Sequence, residues 1–366
     1  MAKNRNKTQI NGNKLNTRQK QIEYWQKRAE NNFLSGEKES LEVAKQLQEN
    51  YKQAMKEIEK EINSFYGKYA TNQKITIDEA KILLNRSEKK SFKEYINDII
   101  KMGKKENFTK TQLNEFKRLY TKARITRLEE LQTNIKYQLH LLTNNNQKQI
   151  TELLSNSYEN GYYKTVFDAE QFRGYSSSFS GLDNNTVEKA ISTKYLGENY
   201  SQRIWQNEDN LLTTLNQEIP RGLTLGYNPR KLAQQVSKKL NTNYNNTVRL
   251  IRTEYNKVQT DATIDGYKAA GIKKYQLLAT LDSRTSDICR ELDGEIYDVA
   301  NAETGVTAPP FHPNCRTTTI AYFEPDEFDM MSDQELDEYI QDLDTLEWLK
   351  GLVKQKNGKL KYEGGE

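Results

Sequence analysis

Cys289, His312 and Cys315 fall in one short window of a 366-residue chain that has only two cysteines and two histidines. Three of its six prolines, Pro309, Pro310 and Pro313, lie in the same window. Thiolate and imidazole are zinc ligands, but a structural zinc site wants four of them, usually paired in short loops. Here His312-x-x-Cys315 is the close pair, and Cys289 has no thiol beside it in sequence. Asp282, Asp287 or Asp293 would have to supply a fourth donor. A Cys289–Cys315 disulfide is disfavoured in the reducing compartment that so few cysteines imply. A Cys–His nucleophile would need an orienting third group and an oxyanion hole. The purely structural alternative makes Cys289 a small buried hydrophobe and His312 a residue that fixes the proline-rich loop.

Arg252-Thr253-Glu254 is a second constellation, within a strongly periodic helical segment. Its charges, off the apolar stripe set by Ile251 and Tyr255, could form a catalytic pair, a phosphate site or a buried ion pair linking helix to strand. The ion pair is the expected outcome, since most mid-helix charges are structural or solvated. No glycine-rich phosphate loop, H-E-x-x-H pattern or G-x-S-x-G elbow is present.

The elements that must position these residues are mostly helical. No proline precedes Pro220, so long helices are permitted. Trp25, Ala29 and Phe33 recur at helical spacing, and Ala44, Leu47, Tyr51, Ala54, Ile58 and Ile62 form an amphipathic stripe. Thr76 and Glu79 form a capping box that opens another helix. Residues 108–144 read as one helix ended by Asn144-Asn145-Asn146, and residues 150–163 as a further one. Pro229 opens a helix to about Leu240, and a separate periodic helix through Val248, Ile251, Tyr255, Val258 and Ala262 stops at Gly271. Strands are expected at 275–281, 296–299 and 317–323, with a short helix carrying Cys289 between the first two.

The fold expected is mainly α: an elongated N-terminal helical region, a small α+β C-terminal module and an acidic amphipathic tail helix. The boundaries are a basic arm (1–20), a helical bundle or extended helical region (21–171), a linker and mixed helical segment (172–245), the α+β module (246–323) and the tail (324–366). The tail helix is expected near 332–352, where Leu336, Tyr339, Ile340, Leu343, Leu346 and Leu349 line one face.

Only 35% of the chain is hydrophobic and 29% is charged, with a mean hydropathy of −0.95. That suits thin helical elements, or a subunit that completes its core against partners. No membrane-length apolar run or signal peptide is seen, so the chain is expected to be made in a cytoplasm without membrane contact. The net charge of +4 hides an asymmetry. Residues 324–366 hold 13 acids and five bases, leaving +12 on the first 323 residues. The arm carries Lys3, Arg5, Lys7, Lys14, Arg18 and Lys20 before its first acid, Glu23. Such arms bind nucleic acid through counterion release, or are simply solvated.

The ordered motifs of residues 252–316 resemble those of the minor head, or head morphogenesis, proteins of tailed bacteriophages, including the Mu-like type. The family's C-terminal module resembles an Arg-Thr-Glu helix followed by Gly-Ile, an aromatic strand, Asp-x-Arg-Thr-x-x-x-Cys, Leu-Asp-Gly and Pro-Pro-x-His-Pro-x-Cys-Arg. This chain supplies Arg252-Thr253-Glu254, Gly271-Ile272, Tyr275, then Asp282, Arg284, Thr285 and Cys289, then Leu292-Asp293-Gly294, and Pro309-Pro310 with His312, Pro313, Cys315 and Arg316. Upstream, Tyr24-Trp25, Gly161-Tyr162-Tyr163 and Arg203-Ile204-Trp205 are similar to segments of the same family. The family's second thiol, in a Cys-Arg-Cys ending, is replaced here by Thr317.

The resemblance implies that Arg252, Glu254, Asp282, Arg284, Asp293, Gly294, Pro310 and Arg316 form a structural motif. It implies a minor structural protein of a phage head, associated with the portal, other head proteins and non-specific double-stranded DNA. Such a protein acts in head assembly or genome delivery, first in the host cytoplasm and then in the virion head. Two alternatives stay open: a nuclease-like enzyme built on the C-terminal module, and a portal-binding adaptor without DNA affinity. No cofactor is required, zinc at Cys289, His312 and Cys315 being the one candidate.

Overall fold

Helix α1 runs unbroken from Thr17 to Tyr69, 53 residues with neither proline nor a helix-ending turn. The computed structural model describes residues 17–173, 181–324, 353–356 and 359–362. The expected stripe of α1 is its buried face: Ala44, Leu47, Tyr51, Ala54, Ile58 and Ile62 are all buried. Trp25 belongs to the same helix, so the two helices expected here are one.

The Thr76–Glu79 capping box forms as expected, but the helix it opens, α2, is only Ile77–Ala80. Asn85 with Glu88 then opens α3 (Arg86–Lys105), and Thr109 with Gln112 opens α4 (Lys110–Thr121). Reciprocal capping satisfies two orphan backbone donors at each start. Helix α5 spans Arg127–Arg173 and passes straight through Asn144-Asn145-Asn146. The triplet does not end the helix because Asn146 is buried and its amide oxygen accepts from Asn50 Nδ2 at 3.0 Å. Helices α6 (Asn184–Ile191), α7 (Tyr200–Thr224) and α8 (Pro229–Ala269) follow. Pro229 is the first residue of α8, whose 41 residues join the two helices expected there. Pro220, the first proline of the chain, lies inside α7.

Gly271 takes φ +68 just past α8, where the chain turns into β1 (Lys274–Leu278). Helix α9 (Asp287–Leu292), β2 (Ile296–Asp298) and β3 (Thr318–Tyr322) complete this part. The sheet order is β2-β1-β3, antiparallel throughout, with Tyr275 opposite Tyr297 on one side and Ala321 on the other. Near the C-terminus β4 (Val353–Lys356) pairs antiparallel with β5 (Lys359–Tyr362), a hairpin that the expectations above do not include. The expected tail helix at 332–352 lies outside the described residues.

The chain divides into two compact units that interleave in sequence, one of residues 1–36, 157–184 and 256–366, the other of 37–156 and 185–255. The linear boundaries drawn from the sequence cut across both, because α1, α5 and α8 each supply residues to both units. In the first unit, Tyr24, Trp25 and Phe172 pack with Tyr267, Tyr275, Leu277 and Ile320. In the second, Ile58 and Ile62 meet Leu131, Ile135, Leu215, Ile219, Leu232 and Val236. A separate cluster of Phe92, Ile96, Ile99, Phe108 and Phe116 holds α3 against α4.

In the first unit, α8 passes close to α5 at Gly266. A Cβ there would sit 2.7 Å from the Cβ of Thr165 and 3.2 Å from the carbonyl oxygen of Tyr162. Overpacking of this kind costs about 1–3 kcal/mol. Gly266→Ala is therefore expected to lower the thermal midpoint, whereas Ala would stabilise an uncrowded helix interior. An unchanged or raised midpoint would show that the two helices have room to part.

Candidate functional site

The Cys–His–Cys window folds as the short helix α9 and the loop leading into β3. Ser286 caps α9, its hydroxyl accepting from the Cys289 amide at 3.4 Å, and this sets Cys289 facing inward from the first turn. Opposite, the Cys315 amide donates to the His312 carbonyl at 3.1 Å, and Asn314 takes the left-handed φ of +59. That tight turn places His312 and Cys315 side by side. Asn256 on α8 clamps the same strand entry, its side-chain amide donating to the carbonyls of Cys315 at 3.1 Å and Thr317 at 3.3 Å.

The three side chains converge. Cys289 Sγ lies 3.2 Å from His312 Nε2 and 3.7 Å from Cys315 Sγ, and both thiols are free. The cysteines are 3% and 4% exposed, while His312 is half-buried. The Ser286 hydroxyl is 2.8 Å from His312 Nε2, and His312 Nδ1 is 2.9 Å from the Pro313 carbonyl oxygen. Burial pushes the Cys289 thiol up, but hydrogen bonds from Ser286, Thr317, His312 and Cys315 outweigh it, leaving the group below its ordinary range. Cys315 moves the other way, held up by burial and by the charge on Cys289. Chemically, the cluster offers two sulfurs and one imidazole nitrogen within reach of a single atom.

The remaining motif residues build the frame. Asp282 receives both Arg316 Nη atoms, at 2.7 and 2.5 Å, and the Arg284 amide at 2.7 Å. These bonds, the Arg316 pair first, hold its carboxyl far below the usual range. Asp293 accepts from the Ala279 amide at 2.9 Å. Gly294, at φ +87, donates its amide to the Leu277 carbonyl and accepts from Gln276 at 2.9 Å. Pro310 is buried beside the cluster's loop. The Arg-Thr-Glu triplet is split: Arg252 is exposed, while Glu254 is buried and ion-paired with Arg203 on α7, which also bonds the Tyr195 carbonyl. This is an ion pair between two helices rather than the expected link from helix to strand, and its cation is Arg203 rather than a residue of the triplet.

Of the basic arm, Lys3, Arg5, Lys7 and Lys14 lie outside the described residues. Arg18 lies in the first turn of α1, and Lys20 is buried. A different basic surface emerges on α3 and α4. Residues 81–127 hold 14 Lys and Arg against five Asp and Glu, a net +9 of the +12 carried by the first 323 residues. Arg86, Lys89, Lys90 and Lys93 line a cleft of about 600 Å³ with Asn85 and the exposed ring of Tyr120, over which Lys93 sits at 5.5 Å. Lys89 donates to the Ala123 carbonyl at 2.5 Å, which brings the start of α3 to the end of α4 beside Arg124. Lys104, Lys105, Lys110, Lys117, Arg118 and Arg124 are exposed and make no ion pair among the described residues. Local charge counting along the chain would have found this surface.

Residues 213–320 match the family described as Phage Mu protein F like protein. The chain is 26% identical over 257 residues to the NAD(+)–arginine ADP-ribosyltransferase EFV of Enterococcus faecalis, covering 66% of this chain and 52% of that protein. It thus spans about half the length of that relative. It is 23% identical over 293 residues to the minor head protein GP7 of Bacillus phage SPP1, covering 76% of this chain and 82% of that one. A Haemophilus influenzae protein matches 32% of the chain at 26% identity. No solved structure matches. The match at 213–320 takes in α8, most of the sheet and the whole Cys–His–Cys cluster, and together with the SPP1 relative it supports a phage minor head protein family for this chain.

Proposed function

We propose that this protein is a minor component of a bacteriophage head that associates with double-stranded DNA and with the portal, in head assembly or genome delivery. Similarity to the Mu F-like family and to the SPP1 minor head protein supports the structural role in the head. The observation that carries the DNA half is the net +9 of residues 81–127, displayed on a helical hairpin packed through Phe92, Phe108 and Phe116 against Tyr137 of α5. Clustered lysines and arginines beside a cleft bind a phosphate backbone without reading sequence. A ring such as Tyr120, bearing Lys93 on its face, adds an aromatic surface to that basic cleft. The portal half rests on the resemblance, as does assembly in the host cytoplasm before residence in the virion head. Among the described residues no helix is long and apolar enough to cross a membrane. The transferase activity named for the enterococcal protein is carried over to no residue of this chain.

Phosphate-driven binding has a characteristic salt response. A gel-shift titration against random-sequence duplex is expected to show affinity falling about 10³-fold or more between 50 and 200 mM salt, if six or more phosphates are engaged. No binding at the lowest salt would remove the DNA half. Deleting residues 1–20 in the same assay measures the share of the arm. The portal half is tested by counting the protein in particles assembled with and without portal, and equal incorporation would remove it.

A further inference from the structure

Two thiols and an imidazole at 3.7 and 3.2 Å are closer to a ligand set than to ordinary core packing. In a tetrahedron with Zn–S of about 2.3 Å and Zn–N of about 2.0 Å, the S···S edge is ~3.8 Å and the S···N edge ~3.5 Å. The cluster's Sγ···Sγ distance of 3.7 Å and Sγ···Nε2 distance of 3.2 Å approach both edges. All three donor atoms lie within 4.8 Å of one another.

The surroundings prepare the imidazole. The Pro313 carbonyl can only accept, so its 2.9 Å bond places the proton on Nδ1 of His312. Nε2 is then the accepting nitrogen, with Cys289 Sγ at 3.2 Å and the Ser286 hydroxyl at 2.8 Å from it. A ring nitrogen bonded to a backbone carbonyl is the usual outer support of a metal-bound histidine. The loop bearing His312 and Cys315 is fixed by its own turn and by Asn256, and Cys289 by the Ser286 cap. Three ligands are therefore oriented before any ion arrives.

The carboxylates considered from the sequence are committed elsewhere or turned outward. Asp282 is held by Arg316 in a two-bond pair, and Asp293 accepts from the Ala279 amide. Asp287 has a side chain 96% exposed, beside Arg290. The Ser286 hydroxyl, 2.8 Å from Nε2, lies at the edge where a fourth ligand would enter. Two sulfurs and one nitrogen select zinc or a similar thiophilic divalent ion over magnesium or calcium.

We propose that Cys289, His312 and Cys315 bind one Zn²⁺ through Sγ, Nε2 and Sγ, with water or the Ser286 hydroxyl in the fourth position. Binding changes no oxidation state. Two Zn–S bonds and one Zn–N bond form, and the thiol protons still present leave to solvent. The ion would cross-link α9 to the loop that feeds β3. Its role is then to hold the Asp282–Arg316 frame together, independently of whether the protein binds DNA.

The test uses the full chain, reduced and stripped of metal, titrated with Co²⁺ and then with Zn²⁺. The expected result is a thiolate-to-cobalt charge-transfer band with tetrahedral visible bands, saturating at about one ion per chain and abolished by Zn²⁺. The Cys289→Ser, Cys315→Ser double variant should lose the charge-transfer band while its helical circular dichroism, dominated by residues outside the cluster, persists. His312→Ala should keep a weakened band, since both sulfurs remain. Absence of the band in reduced wild-type protein would overturn the proposal. So would a cobalt signal unchanged in the double variant, or a Cys289–Cys315 disulfide in freshly isolated protein.

Discussion

Arg203→Ala is expected to destabilise the protein by about 3–5 kcal/mol, more than any single surface change. Glu254 is 1% exposed at its side chain and Arg203 18% exposed, so the pair is shielded from water and from salt. Removing the guanidinium takes away the cation facing a buried carboxylate and also removes one of the bonds that the Tyr195 carbonyl accepts, the Glu198 amide still donating to it at 3.4 Å. Arg203 also lies over the Tyr195 ring at 5.5 Å, an interaction that alanine cannot make. The effect should therefore exceed that of Arg252→Ala, whose side chain is exposed and which should stay within about 0.5 kcal/mol. The discriminating experiment is a double-mutant cycle by urea denaturation, with Arg203→Met, Glu254→Met and both together. Each single change should be strongly destabilising, and the pair together far less so, since apolar replacement of a buried ion pair is often close to neutral. Additive losses would mean that the two charges do not act as a unit.

That pair shows what can be read from the residues and what cannot. Glu254 lies in a recognisable triplet, where periodicity puts it off the apolar stripe of Ile251 and Tyr255, and its pairing with α7 is seen only in the structure. The partner, 51 positions away, leaves no local trace, because an ion pair between helices obeys no spacing rule. The same division runs through the fold. Apolar stripes locate the buried faces of α1 and α8, because period is a property of consecutive residues. Where helices end is less legible. The asparagine triplet reads as a stop by composition, yet a bond from Asn50 accommodates it inside α5. Interleaving of the two units is likewise invisible locally, since it depends on where long helices pass from one unit to the other. The β4–β5 hairpin does have a local signal: Asn357-Gly358 sits between two short runs of alternating residues. Lysines in both runs mask their apolar positions.

At the candidate site, residue rarity locates Cys289, His312 and Cys315, and geometry then brings their donor atoms together. Spacing suggests a carboxylate as fourth ligand, but spacing carries no information about prior commitments. Arg316 occupies Asp282, and a backbone amide occupies Asp293. Ser286 stands in the motif three residues before Cys289, where its capping role is legible. Its approach to the imidazole is a tertiary fact.

Neutralising Arg86, Lys90, Lys93 and Arg124 together to glutamine is expected to lower non-specific duplex affinity by roughly 10²–10³-fold at 0.1 M salt. The reason is additive: every phosphate left without its cation takes about 0.9 off the slope of log affinity against log salt. Four such phosphates should flatten that slope by about 3.6, a readout that misfolding would not reproduce in this graded way. These four residues belong to one surface because the cleft and the Lys89–Ala123 bond draw the start of α3 and the end of α4 together. Lys89 itself is left intact, since its ammonium ties the hairpin shut. Stability should change little: Arg86 and Arg124 make no ion pair among the described residues, and the Lys90–Glu94 pair is exposed and 4.0 Å long. Removing a positive charge at the first position of α3 even favours the helix dipole. A variant that melts like the wild type but keeps its affinity and slope would move DNA association away from this hairpin. The first place to look would then be the arm, because residues 1–20 carry six bases and no acid.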